Sequence, residues 1–182
     1  RVKAASYSVP ARLAGRLVRA EVSSERVFIF HAGEQVANWE RCWEPYGQRL
    51  DLDHYLEVFR HKPQAFLRSL PLRQAQESGR WPASYTELFL LLKQRLGETG
   101  AARQMVDVLL LHRRYPAEVV DQAVAGALAA GAIDGRAVAV LVRRAREGQR
   151  PLVALDVGGL DVYQRPQPQV DAYDQLLEGG RS

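Results

Sequence analysis

With 182 residues, 47% of them hydrophobic, the chain can bury one good core or two small ones, and its single cysteine, Cys42, excludes an internal disulfide. No run approaches the roughly 18 uncharged apolar residues that a membrane helix needs, so the expectation is a soluble chain in a reducing, cytoplasmic compartment. The net charge of +4 is uneven: residues 1–50 carry eight Lys/Arg against five Asp/Glu, residues 64–150 thirteen against eight, and residues 151–182 two against five. A basic body with an acidic tail suits a polyanion such as nucleic acid. The chain starts at Arg1 with no signal-peptide pattern after it, which reads as a fragment of a longer protein.

Lys3 to Ser8 can form a first strand, with Pro10 and Gly15 marking a corner after it. In Arg16 to Val22 the alternation puts Val18, Ala20 and Val22 on one face and Arg19 and Glu21 on the other, so one face is expected to be core. Ser23-Ser24 breaks the pattern. Arg26 to His31 resumes it with Val27 and Ile29 facing one way and Phe28 and Phe30 the other, the latter pair expected to pack on the connector or the helices. His31-Ala32-Gly33-Glu34 is a hairpin turn, and Gln35 to Trp39 returns as a strand. Tyr7 is expected inside with its hydroxyl at the rim. Four or five short strands in residues 1–46 predict a small SH3-like β-barrel, filled by its own side chains, so no cofactor is expected.

Tyr7-Ser8-Val9-Pro10, Gly15, Val18-Arg19, Val27-Phe28-Ile29-Phe30-His31, Gly33 and Val36-Ala37, with His54-Tyr55 and Lys62-Pro63 beyond them, resemble the barrel segment of IstA-type transposases. These are DDE recombinases of bacterial insertion sequences, related to the phage Mu transposase. The likeness is good over about residues 5 to 70 and looser beyond. One departure is Asn38-Trp39-Glu40-Arg41, where the family's strand has a His-Pro-Arg-like ending. The resemblance implies a barrel that follows an RNase H-like catalytic domain, a helical region behind it, and a two-metal active site whose acidic residues lie on the catalytic domain. It also implies DNA, other transposase protomers and an AAA+ ATPase of the IstB type as partners, in a bacterial, nucleoid-associated setting.

On such a barrel Lys3, Arg12, Arg16, Arg19, Arg26 and Arg41 are candidates for contacts to DNA phosphates, since arginine forks on a rigid face reach backbone oxygens. Edge charges that discourage strand pairing are the competing account of each. In the connector, residues 47–82, Asp51 or Asp53 can cap a helix over His54 to Arg60 that Pro63 ends, and Gln64 to Leu70 adds a further turn or two. Asp51, Asp53 and His54 lack a further well-spaced ligand, so capping is preferred to metal and no metal site is expected. Arg60 and Lys62 with His61 and Arg68 form a second basic patch, and residues 71–81 read as an exposed loop.

Residues 83–147 read as four helices in antiparallel hairpins. Ser84-Tyr85-Thr86-Glu87 fits a capping box for a helix that Gly97 stops; Ala101 to Arg114 is the second, Pro116 to about Ala130 the third, and Asp134 caps the fourth. His112 is expected on a helix surface. The arginines ending the fourth helix suit its C-terminal dipole. Residues 148–182 read as a linker ending in an acidic amphipathic motif in which Val170, Tyr173, Leu176 and Leu177 would bind a partner or, equally, fold back on the chain's own basic body. The expected fold class is therefore α+β: a barrel, an all-α domain and a flexible tail. The expected role is the non-catalytic C-terminal portion of a DDE transposase, its barrel on transposon-end DNA and its helices or tail serving assembly or ATPase recruitment. A protein–protein adapter without nucleic-acid binding is the alternative.

Overall fold

The computed structural model describes residues 2–148. The partner-binding expectation at Val170, Tyr173, Leu176 and Leu177 lies outside the described residues.

The fold is α+β, its strands gathered at the front of the chain. Strands β2 (Arg19–Val22), β3 (Arg26–His31) and β4 (Glu34–Glu40) form an antiparallel meander in the order β2-β3-β4. The β3–β4 loop places Ala32 at φ 49° and Gly33 at φ 87°, the paired left-handed conformation whose twist matches the flanking strands. A separate parallel pair joins β1 (Ser6–Tyr7) to β5 (Gln48–Arg49). No closed barrel forms among the described residues, which corrects the SH3-like expectation. The reason is strand length. Lys3 and Ala4 take positive φ, of 49° and 68°, and Pro10 follows soon after, so β1 spans 2 residues and is too short to bridge the meander's free edges. Burial also stops at β3: Val27 and Ile29 are 1% and 4% exposed, whereas all four residues of β2 are exposed on both faces, against the expectation of one core face.

A 3-10 turn, Asp53–Tyr55, opens the helical part. Asp51 accepts the Asp53 N–H at 2.9 Å, but neither this turn nor the helix after it has a side-chain cap, against the capping role expected of Asp51 or Asp53. Helices α1 (Leu56–His61), α2 (Pro63–Leu67) and α3 (Leu70–Glu77) follow. Helix α3 replaces the loop expected over 71–81. Ser69 accepts the Leu72 N–H at its start, Pro71 falls in the first turn, where its missing N–H costs nothing, and Leu72 and Ala75 are buried one turn apart. Helix α4 (Ala83–Leu110) breaks at Gly97, whose φ is 70°, where the sequence places a stop between two helices. Its start differs from the capping-box reading: Pro82, at φ −61°, presets the first turn with no side-chain cap, and the Thr86 hydroxyl accepts the Trp81 indole N–H at 3.0 Å. A 3-10 turn, Leu111–Arg113, leads to α5 (Ala117–Ala129) and α6 (Gly135–Glu147), the last capped by Asp134 onto the Arg136 N–H, as expected.

One continuous core takes Leu56, Phe59, Phe66 and Leu72 from the short helices and Tyr85, Leu88, Leu92, Met105, Val106, Val120, Val124, Val138 and Val142 from the long ones. Aromatic rings run through it, with centroids of Phe59–Phe66, Phe66–Trp81 and Trp81–Tyr85 at 5.7, 6.2 and 5.6 Å. The sheet is tied to this body by polar contacts. Ser8 Oγ lies 2.7 Å from His54 Nδ1 and accepts the Asp51 N–H at 2.9 Å, the Trp39 indole donates to the Ser8 carbonyl at 3.0 Å, and Gln74 bonds Leu50 N and Gln48 O. Among the described residues no helix is long and apolar enough to cross a membrane.

Candidate nucleic-acid interface

Where the meander meets the turn after α3, a cleft of about 520 Å³ opens, and residues far apart in sequence converge on it. Arg26 comes from β3, Arg49 from β5 and Arg80 from the turn, while Asn38, Trp39 and His54 line the floor. Each arginine is held differently. Arg26 Nε donates to Asn38 Oδ1 at 2.7 Å, and Arg80 Nε donates to Ser78 Oγ at 3.0 Å with Asp51 3.9 Å away. The Arg49 side chain has no partner among the described residues. Guanidinium groups so placed can offer paired N–H bonds to phosphate oxygens. Glu40 and Asp51 share the lining and moderate its charge, although Asp51 is occupied by the Asp53 N–H.

The floor is firm. Trp39 and His54 meet edge to face at 5.8 Å, and both are bonded to Ser8. Ser8 Oγ accepts the Asp51 N–H and lies 2.7 Å from His54 Nδ1, so hydroxyl and ring are joined whichever of the two donates. Burial lowers the His54 pKa, while Asp51 and Asp53 pull it the other way.

Of the basic residues singled out in the sequence as DNA contacts, Arg26 alone lines this cleft. Arg41 lies nearby over the β2–β3 turn, donating to the Ser23 carbonyl at 3.1 Å with its guanidinium 3.8 Å from the centre of the exposed Trp43 ring. Arg19 pairs with Glu21 at 2.9 Å and lies 5.4 Å from the Phe30 ring centre. Arg12 is close enough to α1 to lower the pKa of Glu57, whose main partner is Arg113. Arg60 faces Asp107 at 3.9 Å. Lys3, Arg16 and Lys62 are exposed and have no side-chain partner among the described residues. Arg49 and Arg80 were missed as contacts, because nothing local marks a two-residue strand or a post-helix turn as neighbours of Arg26. Among the described residues no group of three or more His, Cys, Asp and Glu is placed to hold a metal ion.

Residues 1–51 match the family described as Mu transposase, C-terminal domain. Over 93% of its length the chain is 29% identical to the transposase for insertion sequences IS1326/IS1353 of Pseudomonas aeruginosa, and equally to that of Shigella flexneri. A transposase of Aminobacter aminovorans is 31% identical over 177 residues, again 93% of the chain. The chain is a relative of the insertion-sequence transposases. It spans about a third of the length of these curated transposases, 33% in each case. No solved structure matches it significantly. The transposase resemblance drawn from Tyr7 to Ala37 is therefore upheld, and the matched segment, residues 1–51, holds the whole meander together with Arg26 and Arg49.

Proposed function

We propose that this chain is the non-catalytic C-terminal portion of a DDE transposase and that its sheet holds transposon-end DNA by the backbone. The convergence of Arg26, Arg49 and Arg80 on one cleft, in a transposase-related chain, carries this reading. Phosphate contacts of this kind position the duplex without reading its sequence. Arg41 and Arg16 extend the surface along the sheet, Lys3, Arg12 and Arg19 flank it, and Arg60 and Lys62 continue the path over the short helices. Catalysis, in this reading, belongs to an RNase H-like domain elsewhere in the whole transposase. The helical region and the tail residues Val170, Tyr173, Leu176 and Leu177 serve assembly with other protomers and recruitment of an AAA+ ATPase of the IstB type.

Counterion release supplies the test. Each phosphate contact contributes a slope of roughly −0.9 to the logarithm of affinity against the logarithm of salt. Fluorescence anisotropy with a transposon-end duplex should show a steep salt dependence, and Arg49→Ala/Arg80→Ala should flatten the slope by about 2. An unchanged slope would remove the cleft from the DNA path. One feature favours a protein-binding adapter instead. A second cavity of about 400 Å³ is lined by Phe66, Leu72, Trp81 and Phe89 with Arg68 and Arg73 among them, a mixture suited to an amphipathic acidic segment. Salt-insensitive DNA binding, or none, would favour it.

A further inference from the structure

Strand β2 is an edge with no partner strand on its outer side among the described residues, and it carries more apolar surface than an edge usually exposes: Leu17 is 92%, Val18 36% and Val22 39% exposed. The backbone polarity of that edge follows from the turn. Ser23 N–H donates to the Arg26 carbonyl at 2.9 Å. Because antiparallel ladders alternate, Glu21 and Arg19, opposite Phe28 and Phe30, direct their backbone groups to β3. Ala20 and Val22 direct theirs outward. The side chains of Ala20 and Val22 stand opposite Ile29 and Val27, so the sheet's buried apolar face continues onto β2, where nothing described covers it.

The segment Val18-Arg19-Ala20-Glu21-Val22 is self-complementary. A two-fold axis through Ala20 sets Ala20 against its own copy, Val18 against Val22, and Arg19 against Glu21, twice over. The register also brings the outward-facing backbone groups of Val18, Ala20 and Val22 opposite one another, as a hydrogen-bonded ladder requires. We infer that the β2 edge pairs antiparallel with the β2 edge of a second copy of this chain about a two-fold axis at Ala20, joining two three-stranded sheets into one. The pairing uses side chains and backbone outside the arginine cleft, so it stands whether or not the cleft binds DNA. A strand edge of this length falls short of the roughly 1,000 Å² that a stable interface clears, so the association is weak and concentration-dependent.

Directly opposed, hydrogen-bonded residues have Cα atoms about 5.5 Å apart, within disulfide range. Ala20→Cys should therefore cross-link to a homodimer in a glutathione redox buffer without DNA. Ala125→Cys, at an exposed position on α5, controls for random collision, and Cys42 is buried. Cross-linking at position 20 no greater than at position 125 overturns the inference. A charge exchange tests the register. Arg19→Glu and Glu21→Arg, each alone, should sediment as monomers at concentrations where the unaltered chain associates, and an equimolar mixture should associate again, because each strand then opposes two acids to two bases. A mixture that stays monomeric, or single variants that associate as the unaltered chain does, also overturns it.

Discussion

Tyr85 shows how one hydroxyl fixes the states of two titratable neighbours. It is 2% exposed, lies 2.7 Å from His112 Nε2, and donates to Asp121 Oδ1 at 2.6 Å. Its hydrogen being committed to Asp121, it can only accept from His112, which must therefore be the Nε2–H tautomer. Burial, then the bond and charge of Asp121, push the Tyr85 pKa up, and burial pushes that of His112 down. Tyr85→Phe strands both a part-buried N–H and a carboxylate, and urea unfolding at pH 7.5 should show a loss of about 1–2 kcal/mol. The sign of the pH dependence follows from the lowered histidine. The unfolded chain takes up a proton near pH 6.5 while the folded ring resists, so stability is complete above that value and falls as the pH drops below it. Repeating the titration at pH 5.5 should find the unaltered chain weaker than at pH 7.5, and equal stability at the two would refute the neutral assignment.

At the level of elements, sequence pattern and structure agree wherever a local rule decides the outcome. The β3–β4 turn, the Asp134 cap and the break at Gly97 are all written in a few adjacent residues. Disagreement arises where a distant partner decides. His112 reads as a surface residue because Tyr85 and Asp121 are not its chain neighbours, and β2 reads as half-buried because alternation states which residues share a face, not whether anything covers it. Pro71 illustrates a third cause, since the same residue stops a helix from inside and starts one from its first turn, and only the Ser69 cap separates the two. The arginine cleft was legible in part, through Arg26, because its other members meet it only through the fold. Gly97 allows an elemental test. With φ 70° and ψ 176° it occupies a region essentially reserved for glycine, and nothing lies within 4 Å of where a Cβ would stand. Gly97→Ala should therefore cost about 1–3 kcal/mol through backbone strain alone, with no clash to relieve. A thermal midpoint equal to that of the unaltered chain would show that α4 can straighten without penalty.

Across residues 2–148 the sheet and the helices depend on each other unequally. The helices share one large core, whereas the sheet region buries little beyond Ala5, Leu13, Val27, Ile29 and Cys42. A three-stranded meander with so small a core is marginal alone, and its order must come from its attachment. That attachment centres on Ser8, which bonds His54 and Asp51 through its hydroxyl and Trp39 through its carbonyl. The same residue thus anchors the sheet and levels the floor of the arginine cleft. Ser8→Ala keeps the volume nearly constant but leaves His54 Nδ1 and the Asp51 N–H without that partner, a loss of about 1–3 kcal/mol. If attachment sustains the sheet, the loss will not be uniform. Amide hydrogen exchange in the Ser8→Ala chain should accelerate in β3 and β4 well before it changes in α4 and α5, and DNA affinity should fall although no arginine has been touched. Equal acceleration in sheet and helices would mean that the two melt as one cooperative body, with Ser8 no more than one bond among many.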